Sequence, residues 1–239
     1  MGTSHTQTTD IPTSDVAAVN TRVHRRTAIL SGSALALSTL MARSEAVFAQ
    51  ETDQTKGNET AARPNPTVRR VVTGTNSQGH SYALMDGNLT QGFGPLTQVW
   101  VTDRVPASNT GTKDNADRQM RLDPPQSGVN FLYFSVAPQS EAASVSAEQM
   151  EKGTAAFFEA LGAGHDRVDT SRNVGMHRTR TVDYIIVLSG EVDLLLDDGE
   201  VHLKPFDVVI QRATNHAWVN RGTEKAMLAA VLIDAEPGI

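Results

Sequence analysis

The stretch from Gly175 to Asn220 sets polar groups able to bind a metal into the alternation of short strands. His177, Thr179, Thr181 and Asp183 have the same parity, so on an unbroken strand they share one face. His216 follows a polar corner, Arg212-Ala213-Thr214-Asn215. The chain has no Cys. That excludes disulfides and thiolate chemistry, and any metal must be held by imidazole and carboxylate. The elements that position these groups are short. Ile185 to Leu188 is an apolar run that reads as a buried strand, ended by Ser189-Gly190. Val192 to Leu196 is the next strand. Asp197-Asp198-Gly199 is a hairpin turn, because Asp-Gly supplies the positive φ angles that such a turn needs. Glu200 to Lys204 alternates again.

This pattern resembles the cupin superfamily. Its first motif has the form G-x5-H-x-H-x3-4-E-x6-G, and His177, Asp183 and Gly190 keep that spacing. Its second has the form G-x5-P-x-G-x2-H-x3-N. Gly199 and Pro205 match its start, and His216 and Asn220 match its end, with a longer interval between. The strings H-R-T-x-T-x-D-Y and Q-R-x-T-N-H-A-W-x-N look like a subfamily of small stand-alone cupins. The resemblance covers the last third of the chain and extends weakly upstream through Arg69 to Gly74. There are departures. Thr179 stands at the second His place and Asp183 at the Glu place. Phe206 and Ala213 stand where Gly is common.

The resemblance implies a divalent transition metal (Fe, Mn, Ni or Zn) on His177, Asp183 and His216, since two imidazoles and a carboxylate suffice for an open site. It implies dioxygenase, isomerase or decarboxylase chemistry on a small organic molecule. The alternative is a metal-free barrel, a ligand-binding cupin or lapsed enzyme, in which the same groups hydrogen-bond a ligand or each other. Thr179 and Thr181 line the same face as substrate-binding candidates. Gln211 either points into the barrel, where its amide could hold a substrate carbonyl, or caps the corner that delivers His216. Trp218 shares the parity of His216 and either lines the pocket or fills the core. His202 reads as solvent-facing, and His165-Asp166 as a solvated loop pair.

The 239 residues are 39% hydrophobic and only 5% aromatic, so a core of Val, Leu and Ala is expected. A net charge of −6 argues against a nucleic-acid partner. Residues 1–49 resemble a twin-arginine export signal. Arg25-Arg26 precede a mildly apolar stretch, Ala28 to Ala42, and Val47-Phe48-Ala49 offers small residues before a cut. That stretch is too short and Ser-rich for a membrane span. An exported protein, periplasmic or extracellular, is expected, with no membrane span after signal removal; the alternative is a cytosolic amphipathic leader or a retained anchor. Residues 50–66 are polar with little apolar content and read as a disordered linker.

Residues 67–239 read as one domain. Val68 to Thr73 and Ser81 to Met85 flank a turn and form a hairpin; Leu96 to Val101 and Val129 to Val136 are further strands. Pro106 to Gly128 is a long loop without periodicity. Ser144 to Gly162 is a helix: Ser146 and Gln149 form a capping box, and Met150, Thr154, Phe157, Phe158 and Leu161 recur at helical spacing. It is expected over the barrel or on a partner subunit. The fold class is all-β, a jelly-roll barrel of cupin type with one accessory helix and extra N-terminal strands that extend its sheets. The resemblance further implies a homodimer through edge strands.

Overall fold

A computed structural model describes residues 67–90 and 92–236. The expected export signal and linker lie outside the described residues.

Two antiparallel sheets enclose the core. The larger joins β3 (Gly92–Phe93), β4 (Leu96–Thr102), β5 (Val129–Val136), β11 (Ala226–Asp234), β6 (Thr181–Ser189) and β9 (Val208–Arg212), in that spatial order. The smaller joins β10 (His216–Val219), β7 (Val192–Leu196) and β8 (Glu200–Leu203). Inward residues of both sheets meet in one apolar cluster that includes Leu132, Ile185, Val187, Leu194, Leu203 and Leu228. This is the all-β cupin-type architecture expected, closed by the usual alternation of inward apolar and outward residues.

Turn chemistry sets the joints. Gly199 (φ 80°) closes the β7–β8 hairpin. Gly190 (φ 70°) turns β6 into β7, and a Cβ there would lie 2.7 Å from the Cα of Ala226. At the two departures from the glycine pattern the backbone stays left-handed, with φ 75° at Phe206 and 47° at Ala213. An L side chain there costs about 1–2 kcal/mol.

Helix α1 (Ala147–Ala160) starts on the expected capping box, with Ser146 and Gln149 exchanging both bonds. Its apolar face meets the barrel. Phe158 is buried, while Phe157 is half-buried and stacks on Phe93 at 5.7 Å between ring centroids.

Two expectations change. The strands of the N-terminal hairpin, β1 (Arg69–Thr75) and β2 (Ser81–Asn88), form their own sheet and do not extend the barrel's. The outer edge of β4 is taken by Gly92 and Phe93. The hairpin docks instead through Arg70, which donates to Val99 O (3.0 Å), pairs with Asp114 and lies over Trp100. Second, the apolar run of β6 is not buried throughout. Ile185 and Val187 are buried, but Tyr184, Ile186 and Leu188 on the opposite face are exposed. The long loop between β4 and β5 is ordered onto the sheet, with Ala116 fully buried and its carbonyl held by Gln98 Nε2 at 2.8 Å.

Candidate metal and ligand site

His177 and His216 face each other. Their backbones form an isolated antiparallel bridge, with both N–H···O bonds at 2.9 Å, and the ring centroids are 4.4 Å apart. Each Nδ1 sits on a main-chain carbonyl: His177 on Gly175 O (2.9 Å), His216 on Thr214 O (3.0 Å). A carbonyl only accepts, so each Nδ1 carries the proton and each Nε2 keeps its lone pair. That is how a protein presents imidazole to a metal. Burial holds both rings neutral. It lowers the pKa of His177, and burial with the adjacent His177 takes His216 down to about 3. Phe158 covers His177 at 4.9 Å and Trp218 packs edge-on against His216 at 5.9 Å.

Asp183 does not close this pair into a triad. Among the described residues, His177, Asp183 and His216 are not a set whose ligand atoms lie within 4.8 Å of one another. The shared face assumed an unbroken strand from 177 to 183. In the structure His177 is bridged to β10, the Arg178 N–H is taken by Asp166 O (2.8 Å), and β6 begins only at Thr181. The ladder breaks between them, and parity does not carry across the break. Thr179, Thr181 and Asp183 do form a buried polar row: the two hydroxyls are 2.6 Å apart, and Thr181 hydrogen-bonds Asp183. Burial pushes the Asp183 carboxyl up to about 6 against that bond, and its Oδ1 has no partner.

Gln211 lies opposite Asp183 on β9 and is buried. Its amide nitrogen donates to Thr214 O (3.0 Å) and Thr214 Oγ1, so it holds the corner that delivers His216. Trp218 packs against Phe134 as well as His216, joining pocket wall and core. His202 is half-exposed, as expected, and bridges Asp193 and Glu191 at the surface.

A second cluster was not visible in the sequence. Asp123 on the long loop meets His165 and Asp166 in the short 3₁₀ turn after α1, and their ligand atoms all lie within 4.8 Å, a set that could hold a metal ion. The His165-Asp166 pair is therefore not simply solvated. Its signal was a carboxyl beside an imidazole at a helix end; the third member came from a loop whose path no periodicity encodes. A cavity of about 790 Å³ opens beside the cluster and is also lined by Arg178, Thr179 and Arg180.

Residues 164–233 match the Cupin_2 family model, described as cupin domain. The match, 70 of the 239 residues, supports a domain of cupin type in this segment. Its β6–β11 strands and the corner before His216 are the part matched. The phomopsin biosynthesis cluster protein C' of Diaporthe leptostromiformis is 50% identical over 64 residues, 26% of this chain and 34% of that protein. The cupin-domain-containing oxidoreductase srdD of Neurospora crassa is 42% identical over 65 residues, 26% and 33% of the two chains. The match thus spans about a third of the length of these curated relatives. Among solved structures, a cupin 2 conserved barrel domain protein from Salinispora arenicola aligns with 21% identity and TM-score 0.30 over 54% of this chain and 91% of that chain.

Proposed function

We propose that this protein is a small-molecule enzyme of cupin type, metal-dependent, of the oxidoreductase or lyase/isomerase kind. The carrying observation is the pair of neutral, carbonyl-anchored imidazoles of His177 and His216. The relatives named cupin-domain-containing oxidoreductases support the same reading. The donor set fits a transition metal at two positions; Asp183, held on Thr181, stands outside. A bound iron, manganese, nickel or zinc ion would supply Lewis-acid chemistry. The chain's own residues do the rest. His177 and His216 would hold the ion, with the Phe158 ring packed against His177. Asp183 exchanges a proton near pH 6, and Thr181 and Thr179 link it to the cavity that Thr179 lines.

A metal-free ligand-binding barrel is the second reading, favoured by the open triad. Elemental analysis of protein purified without chelator separates the two. The enzyme reading expects the wild type to carry an ion that His216→Ala loses; a wild type that takes up none of the four metals at micromolar concentration, or whose metal content His216→Ala leaves unchanged, leaves the binding module.

We further propose a homodimer. β9 is an edge strand, and outward Val208 and Ile210 join Tyr184 and Ile186 of β6 in one exposed apolar face. A single-chain mass in light scattering at micromolar concentration would refute it. Export remains part of the proposal. N-terminal sequencing of the native protein is expected to start near Gln50, and an intact Met1 or Gly2 terminus on the bulk of it would refute export. Among the described residues no helix is long and apolar enough to cross a membrane.

A further inference from the structure

We propose that Asp123, His165 and Asp166 bind a divalent transition-metal ion, at a site separate from the imidazole pair and open to the cavity beside it. The spacing is the first argument. His165 Nε2 lies 3.4 Å from Asp123 Oδ2 and 3.5 Å from Asp166 Oδ1. Both are longer than an N–H···O bond, about 2.7–3.2 Å. They match the ligand–ligand edge of a tetrahedral site with metal–ligand bonds near 2.1 Å, about 3.4 Å.

Asp166 is in addition a buried acid with one unpartnered oxygen. Asp166 is 5% exposed, and its Oδ2 has no hydrogen-bond partner. A buried carboxylate oxygen without a donor is costly, and one beside a second carboxylate more so. Arg180 gives its ion pair to Asp234 and Arg167 gives its own to Glu151, and the group facing Asp166 is the exposed His165 imidazole, 3.5 Å from its Oδ1. An ion of charge two would remove both penalties.

The ligands are also held in place before any ion arrives. Asp166 donates its N–H to Ala163 O (3.0 Å) and accepts from the Arg178 N–H (2.8 Å). Next to Asp123, the Leu122 N–H donates to Leu161 O (3.3 Å) and Leu122 O accepts from Asn130 Nδ2 (3.3 Å). Both ligand-bearing segments are thus tied to the end of α1 or to the sheet. One imidazole and two carboxylates suit zinc, manganese or iron, and three protein ligands leave a position for water or an oxygen-bearing small molecule in the cavity. His177 and His216 do not line that cavity.

Zinc is the probe. Chelator-stripped wild type, His165→Ala and the His177→Ala/His216→Ala double variant are dialysed against low-micromolar zinc, and the bound ion is counted by elemental analysis. The His165 side chain is 69% exposed, so its replacement leaves the fold intact, which circular dichroism checks. The expected result is one ion lost in His165→Ala and kept in the double variant. A wild type that binds no zinc overturns the proposal. So does a His165→Ala variant with unchanged stoichiometry and affinity; an ion that is then lost only from the double variant would belong to the imidazole pair instead.

Discussion

Phe158 joins the helix to the site, and replacing it tests both. Its ring is 6% exposed, belongs to the main core cluster, and lies 4.9 Å from His177 and 5.8 Å from Phe157 between centroids, with the Arg167 guanidinium 6.0 Å above it. Phe158→Ala therefore removes a fully packed ring from between a helix and a sheet that cannot collapse onto the gap. The expected loss is about 3–5 kcal/mol. For a domain of this size that is a drop of roughly 6–20 °C in Tm. Phe157 is half-buried and keeps one stacked partner, so Phe157→Ala should lose only about 1–2 kcal/mol. The two variants share composition and helix propensity, so their difference isolates burial. The assay is urea unfolding of both beside the wild type. A second readout follows from the cause of the shift at His177. Burial depresses that imidazole, and Phe158 forms part of its cover. In Phe158→Ala the His177 pKa should rise towards the ordinary value of about 6.5, read by imidazole NMR titration. A loss below about 1 kcal/mol, or a larger loss from Phe157→Ala, would refute the packing argument.

Two further outcomes follow from buried charge and backbone strain. Asp183, raised to about 6 when folded against about 3.9 unfolded, stabilises the fold relative to Asp183→Asn below about pH 4, and that advantage is lost as pH rises through 6. The wild-type-minus-variant stability should fall by about 3 kcal/mol between pH 4 and pH 8 in urea melts with chelator, and a flat difference would sink the burial account. His216 runs the other way, losing stability as pH falls below about 6.5, so the wild-type curve alone does not isolate either group. Ala213→Gly and Phe206→Gly should each stabilise by about 1 kcal/mol, because both positions hold positive φ; unchanged or lower urea midpoints would show that the strain is relieved elsewhere.

What the sequence alone determined is local. The capping box of Ser146 and Gln149 placed the helix start, because both partners lie within one turn. The Asp-Gly turn at Gly199 and the alternation on either side placed a hairpin. Parity placed Thr181 and Asp183 on one inward face, because both lie within a single strand. The resemblance to the cupin motifs implied that His177 and His216 converge, and they meet ring to ring. The tertiary structure decided the rest. Whether His177 shares a face with Asp183 depended on where the ladder breaks, which is set by the Arg178–Asp166 main-chain bond and not by residue type. Which side of the Ile185 to Leu188 run is buried depended on which sheet covers it. The meeting of Asp123 with His165 and Asp166 depended on a loop without periodicity being tied down by Leu122 and Asn130. Short-range patterns are fixed by covalent geometry, whereas contacts between distant segments are fixed only when the core closes and selects one path for each loop.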